Sequence, residues 1–144
     1  MYEIVDVPID SQRLVQRVSA QDCGAVVLFL GVVRASSDDD RPVTGLSYEA
    51  YGALAITEME RIGKRVQEKF APVRIAMTHR TGSLNVGEPS VAVAVATPHR
   101  AQAFAACEYA MNELKSRVPI WKKEHYVHGE SIWRENCAPH EVKN

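Results

Sequence analysis

Apolar residues along this chain follow two periods, one typical of strands and one typical of helices. Five runs that are continuously apolar or alternate with polar residues predict strands, at residues 2–7, 24–33, 43–51, 73–82 and 90–97. The run GAVVLFLGVV at 24–33 is continuous and bounded by glycine, so it is predicted to be a buried strand, with Gly31 as a bulge or a point where a ligand approaches the backbone. A glycine-containing turn through SLNVGEPS joins the last two strands.

Two segments repeat apolar residues at spacings of three and four, which predicts amphipathic helices. The first begins at a cap formed by Asp10 or Ser11 and runs to about Ala20, and the second ends before an Ala-Pro pair. Their predicted inward residues are Leu14, Val15 and Val18 in the first helix, and Met59, Ile62, Val66 and Phe70 in the second.

A third helix has a clear start signal, with Thr97 as its predicted N-cap and Pro98 as its first residue, and it ends near Arg117. His99 and Arg100 then lie in the first turn beside unpaired amides, where they form a seat for an oxyanion or a phosphate. The alternative is that both are ordinary surface charges, which cost little there. The predicted inward face consists of Ala103, Phe104, Cys107, Met111 and Leu114.

The segment VPIWKKE follows this helix. Pro119 ends the helix, because its ring clashes with the preceding turn and it has no amide hydrogen. Residues 120–127 are therefore predicted to be a strand, whose two faces carry Trp121 with Lys123 and Lys122 with Glu124. One interpretation is an edge strand that its lysines protect against aggregation.

Composition limits the classes of protein that the chain can represent. With 144 residues, 46% of them hydrophobic, it is long enough for one domain, residues 1–144, with a mobile acidic loop at 35–42 and a flexible tail at 136–144. A formal charge of -1 argues against nucleic acid as a partner. No secretory leader or bilayer-length apolar run is present, so we expect a soluble cytoplasmic protein without membrane contact. Three widely spaced cysteines favour neither a disulfide framework nor a metal site.

The candidate functional residues are mainly cations that lie at the ends of the predicted helices and strands. Lys115 alone is explained by its position near a helix C-terminus, which favours a positive charge. The whole group, however, places several cations beside one acid, which suits an anionic substrate whose reaction needs proton transfer. Its members are Arg34, His99, Arg100, Lys115, Lys122, Lys123 and Glu124.

The motifs GAVVLFLGVVR, YEAY, HRTGSL, VGEPSVAVAV, HRAQAFAA and LKSRVPIWKKE, in this order, resemble the catalytic large subunit of molybdopterin synthase. The resemblance covers about residues 24–133. The resemblance implies a single domain of the α+β class. The expected architecture is an α/β hammerhead-like unit with an additional antiparallel sheet. The resemblance also implies sulfur transfer to cyclic pyranopterin monophosphate, which gives the dithiolene of molybdopterin. The sulfur donor would be the thiocarboxylated C-terminal glycine of a small ubiquitin-like subunit, with no cofactor required.

The resemblance also implies roles and an assembly. Lys115 and Lys122 match the family's catalytic lysines, and the substrate-binding positions match Arg34, His99, Arg100, Lys123 and Glu124. The implied assembly is a central homodimer with a small subunit at each end, a heterotetramer.

Two other functional classes remain open from the sequence. The first is a noncatalytic module that uses the same cations to hold a phosphate ligand or a ubiquitin-like partner, although a second lysine is more than anchoring needs. The second is a cysteine-based sulfurtransferase using Cys23 or Cys137, which lacks a neighbouring base in the sequence.

Overall fold

Residues 1–135, the part of the chain that this computed structural model describes, build two four-stranded sheets and three helices. In chain order the elements are β1 (Tyr2–Val5), α1 (Ser11–Val18), β2 (Ala25–Val32), β3 (Val43–Ala50), α2 (Gly52–Phe70), β4 (Arg74–Arg80), β5 (Gly82–Asn85), β6 (Pro89–Thr97), α3 (Arg100–Arg117), β7 (Ile120–Tyr126) and β8 (Ser131–Glu135).

The first sheet has the strand order β1-β4-β6-β2, with β1 parallel to β4 and the other neighbours antiparallel. Its strand β6 shows how the sequence sets the packing. The valines of SVAVAVAT face the large core under α2 and α3, whereas the alanines face Leu14 and Val18 of α1. Alternation places successive side chains on opposite faces, and alanine on one face lets the short helix α1 approach the sheet closely.

The second sheet is fully antiparallel, with the order β5-β3-β7-β8. The predicted α+β class with an additional antiparallel sheet is therefore confirmed. Because β7 lies between β3 and β8, the interpretation of VPIWKKE as an edge strand is wrong. The predicted turn at residues 83–90 is also shorter than expected, since Gly82–Asn85 pairs with β3 as the strand β5.

Strand β2 is not buried, contrary to the prediction. Its only strand neighbour among the described residues is β6, and Val26 and Val32 expose 41% and 47% of their surface. A continuous apolar run also suits an edge strand whose faces are only partly covered. The predicted bulge is confirmed by a register shift between Gly31 and Val32. Phe104, predicted to face inward from α3, is likewise exposed.

The helix ends differ from the predictions by about two residues. Asp10 caps α1 as predicted, accepting a hydrogen bond from the Arg13 amide at 3.1 Å, but the helix ends at Val18. Helix α3 begins at Arg100, with His99 at the N-cap position. Thr97 is instead the last residue of β6, and its hydroxyl donates to the His99 carbonyl at 2.6 Å, so the predicted Thr97 cap is wrong.

Two predictions concern the ends of the chain and the membrane. The predicted flexible tail at 136–144, which includes Cys137, lies outside the described residues. Within residues 1–135, no helix has the length and hydropathy that crossing a bilayer requires.

Candidate active site

A cavity of about 160 Å³ opens where the two sheets meet the end of α3. Its wall is built from the end of β2, the loop that follows it, the facing strands β3 and β7, and the last turns of α3. Three cations and two acids lie in this wall: Arg34, Lys115, Lys122, Asp38 and Glu124. The charged groups of the cavity thus carry a positive excess, which suits an anionic ligand.

Lys115 and Lys122 reach this cavity from two consecutive elements. Lys115 lies in the last turn of α3, and the chain leaves the helix at Val118 in an extended conformation. Pro119 prevents the helix from continuing, so β7 turns back against β3. Period two then directs Lys122 to the cavity side of the strand, and both lysines line one cavity.

Glu124 is the buried acid of the cavity, with 3% of its surface exposed. One carboxylate oxygen lies 2.9 Å from Arg134 Nε, and the other accepts a hydrogen bond from the Tyr126 hydroxyl at 3.0 Å. Arg134 Nη2 donates in turn to the Tyr126 hydroxyl at 3.2 Å. Both oxygens of Glu124 therefore have partners, as a buried carboxylate requires.

Sequence reasoning missed Arg134 because it did not predict β8, and it assigned no role to Tyr126 on the predicted strand 120–127. The sequence carries a weak signal for the hairpin, since Gly129 follows that strand and the β-prone residues Ile132 and Trp133 come next. In the structure Gly129 adopts a positive φ of 82° in this turn. In the resulting hairpin Arg134 lies directly opposite Lys122, on the same face of the sheet.

Arg34 leads from β2 into the acidic loop. Its Nη2 donates to Asp38 Oδ1 at 2.6 Å, and both side chains line the cavity. Ser36 and Ser37 line the same side of it. The loop thus contributes to the wall of the cavity.

Tyr48 and His79 lie beneath the lysines and were also missed by sequence reasoning. Tyr48 is opposite Lys122 in the β3–β7 register, and its ring packs edge-on against His79 with 5.0 Å between centroids. Burial raises the pKa of the Tyr48 hydroxyl. Burial, with a smaller contribution from the charge of Lys115, lowers the pKa of His79 to about 4, so this imidazole is neutral at pH 7.

His99 and Arg100 do not join the cavity within one chain. Both are exposed at the start of α3, whereas Lys115 lies near its end. The helical rise of about 1.5 Å per residue separates Arg100 from Lys115 by about 22 Å, more than a small substrate spans.

Lys123 lies on the other face of the second sheet. Its ammonium group is 5.3 Å from the centroid of the Trp133 ring, which is a cation–π contact. The structure therefore separates Lys123 from Lys122 and Glu124, as the period of two predicts.

The described residues offer little to metal or thiol chemistry. No group of His, Cys, Asp or Glu within residues 1–135 has the arrangement of a metal site. Burial raises the pKa of the Cys107 thiol to about 11 and also raises that of Cys23, and neither thiol lines the cavity. Since the thiolate is the reactive form, both described cysteines are poor nucleophiles.

Comparison with known proteins gives a consistent result. Residues 4–117 match the family model described as MoaE protein. The molybdopterin synthase catalytic subunit of Bacillus subtilis is 40% identical over 129 residues, which cover 90% of this chain and 82% of that relative. The crystal structure of molybdopterin synthase from Staphylococcus aureus matches with a TM-score of 0.87 and 37% identity, covering 92% of this chain and 95% of that one. A chain in the protein–protein complex of subunits 1 and 2 of molybdopterin-converting factor from Helicobacter pylori matches with a TM-score of 0.75 and 25% identity, over 95% of this chain and 92% of that one.

Proposed function

This chain belongs to the MoaE protein family and acts as a molybdopterin synthase, a sulfur-transferring enzyme of molybdenum cofactor biosynthesis, and we propose that its reaction takes place in the cavity shared by Lys115 and Lys122. The observation that carries this proposal is the convergence of the two lysines, with Glu124, on one cavity. The substrate is cyclic pyranopterin monophosphate, and the product is the dithiolene of molybdopterin.

The two lysines answer two electrostatic needs of the reaction. The sulfur donor is a thiocarboxylate, which is an anion. A second negative charge develops on its carbonyl oxygen when water adds to the acyl carbon, and this oxyanion collapses as the carbon–sulfur bond breaks. Preorganised cations beside these charges stabilise them more in a partly enclosed site than in water. Each transfer forms a carbon–sulfur bond on the pterin side chain and breaks a carbon–oxygen bond at the same carbon. Water takes the place of the sulfur on the acyl carbon, so that each donor tail ends as a carboxylate.

The donor is the C-terminal tail of a small ubiquitin-like subunit, and the cavity is where that tail ends. The related Helicobacter pylori complex of subunits 1 and 2 supports a partner of this kind. An extended tail with a terminal thiocarboxylate fits a cavity whose charged wall is cationic and whose opening lies between two sheets. The whole assembly works in the cytoplasm.

A homodimer supplies the remaining substrate-binding residues. Within residues 1–135, strand β2 has a strand neighbour on one side only, and it exposes several apolar side chains, namely Val26, Leu28, Phe29 and Val32. Exposed apolar edges of this kind are surfaces for association. Two copies pair through β2 in antiparallel orientation about a twofold axis, and a small subunit at each end completes a heterotetramer.

Antiparallel pairing of β2 has a direct consequence for the site. Ala25, at the start of β2, pairs with Thr97, beside the start of α3, whereas the end of β2 leads to Arg34. The pairing therefore brings His99 and Arg100 of one copy towards the Arg34 side of the other copy's cavity. There they bind the phosphate of the pterin together with Arg34, whereas Lys123, on the other face of the second sheet, lies outside this site.

Subunit complementation tests this composite site. Arg100→Ala and Lys115→Ala homodimers should each be nearly inactive. After they are mixed and allowed to exchange, half of the dimers contain one copy of each, and one of the two sites in such a dimer is intact. About a quarter of wild-type activity should return. The control is a mixture of Lys115→Ala with Lys122→Ala, which remove residues of the same copy's site and should restore nothing. No recovery in the first mixture, despite proven exchange, would contradict a shared site.

Reconstitution tests the function itself. The purified chain is mixed with a thiocarboxylated small subunit and cyclic pyranopterin monophosphate, and the dithiolene is assayed. We expect product, and we expect none with an unmodified small subunit. Binding of both molecules without product would support the alternative, a noncatalytic module that holds the same ligands.

A further inference from the structure

Three consecutive aspartates in the loop between β2 and β3 occupy three different environments. Asp38 lines the cavity and accepts a hydrogen bond from Arg34, while Asp39 lies 3.7 Å from Arg134 outside it. Asp40 is exposed at the loop tip with a positive φ of 59° and does not line the cavity. An acidic loop beside an anion site is unfavourable for binding, so the position of Asp38 needs an explanation.

The loop holds Asp38 at the cavity by its own hydrogen bonds. The Ser37 amide donates to the Arg41 carbonyl at 2.8 Å, and the Val43 amide donates to the Ala35 carbonyl at 2.7 Å, so the loop closes like a short hairpin. Its far side is attached to the second sheet, because the Arg41 guanidinium lies 3.8 Å from the centroid of the Tyr126 ring. Asp38 therefore approaches Arg34 from a folded loop.

We propose that Asp38 is a specificity-determining residue, an internal counter-ion that occupies the Arg34 end of the cavity until an anionic substrate displaces it. The proposal rests on the function proposed above. The geometry supports displacement, since Asp38 and Arg34 expose 48% and 64% of their side chains and line the same wall.

The consequence is selection among anions. A tethered carboxylate competes at a local concentration in the millimolar range, so a small anion with one weak contact does not remove it. A pterin phosphate makes further contacts in the cavity and does remove it. Because both anions lose affinity by the same factor, the weakly bound inorganic anion no longer occupies the site at concentrations where the substrate, with its further contacts, still binds.

Neutral substitution at matched positions tests the proposal. Asp38→Asn removes the counter-ion, whereas Asp40→Asn makes the same charge change at the loop tip, where asparagine tolerates the positive φ. Asp38→Glu keeps the charge. Isothermal titration of the full-length proteins with cyclic pyranopterin monophosphate, and separately with inorganic phosphate, gives the Kd for each.

We expect Asp38→Asn to lower both Kd values by about two- to fivefold, the range for losing an exposed ion pair as a competitor. The factor should be similar for the two anions, because each displaces the same Asp38–Arg34 pair. Asp40→Asn and Asp38→Glu should stay close to wild type. Equal Kd values for Asp38→Asn and Asp40→Asn, or weaker binding by Asp38→Asn, would overturn the assignment. A dithiolene assay on the same proteins separates the two questions, since absent turnover in wild type refutes the proposed function while the Kd comparison still decides the role of Asp38.

Discussion

Lys122 and Lys123 are neighbours of the same type on one strand, and they provide a matched test of the active site. Lys122 faces the cavity, whereas Lys123 faces the opposite side of the sheet beside Trp133. We expect Lys122→Ala to lower the rate of sulfur transfer by about a hundredfold or more, and Lys123→Ala to change it by no more than a few-fold. Both variants remove the same charge and the same side-chain volume. A difference between their rates of sulfur transfer therefore reports the position of the lysine.

The expected loss of rate follows from the position of the Lys122 side chain. It is half-buried on the strand face that it shares with Glu124, and it lies opposite Tyr48 and Arg134 in the two strand pairings. Losing one preorganised group that stabilises a developing oxyanion costs about 2.7–4 kcal/mol, which is 10²–10³ in rate. The same change should alter the free energy of unfolding by only about 1 kcal/mol or less, because partly exposed charges contribute little to stability.

Single-turnover measurement of dithiolene formation, with excess thiocarboxylated small subunit, reports the chemical step, and the thermal midpoint reports folding. Lys115→Ala should behave like Lys122→Ala. Lys115→Arg should also fail, because a planar fork does not replace a compact ammonium group that can lose its proton. A Lys122→Ala variant with near-normal transfer, an equal loss in Lys123→Ala, or a loss explained by unfolding would refute the reasoning.

Three further predictions test the surface, the buried imidazole and the thiols. We expect Leu28→Glu on β2 to convert the proposed dimer to a monomer in analytical ultracentrifugation at micromolar concentration, whereas Val127→Glu, which is also exposed, should not. A dimeric Leu28→Glu variant would contradict β2 pairing. The pKa of His79 is lowered to about 4, so the unfolded chain binds the extra proton first, and the free energy of unfolding should fall by up to ~3 kcal/mol between about pH 6.5 and 4. His79→Gln should reduce this pH dependence of the free energy of unfolding, measured by denaturant titration at both pH values. The same pH dependence in His79→Gln as in wild type would show that His79 is not its source. Replacing Cys23, Cys107 and Cys137 together should leave the rate of sulfur transfer per folded protein unchanged. A lower rate would support the thiol mechanism.

The core of the site could be predicted from the sequence because it depends on local rules. Pro119 ends the helix, period two assigns the faces of β7, and Lys115 and Lys122 are close in sequence on either side of the turn. The same rules placed Lys123 on the other face. None of these placements depends on a long-range contact.

The rest of the site depends on contacts that periodicity does not report. An uninterrupted apolar run such as β2 looks the same whether the chain itself or a second copy covers it. Tyr48 lies on β3 and His79 lies on β4. These strands belong to different sheets, and only the packing of one sheet against the other brings the two rings together. The start of α3 looked like part of one site, but a helix of this length holds His99 and Arg100 far from Lys115.

Glu124 illustrates how the described contacts narrow a role that the sequence left open. Two roles are chemically open to an acid beside a catalytic lysine, which are orienting the lysine and relaying a proton. Its two oxygens are engaged by Arg134 and Tyr126, and its side chain is 5% exposed. A relay would have to break one of these contacts in a buried setting, where an unsatisfied carboxylate is costly. Orientation requires no such change, because the Arg134 pair fixes the negative charge beside Lys122. The contacts therefore favour Glu124 as a fixed negative charge on the strand face that it shares with Lys122, and they argue against a proton relay.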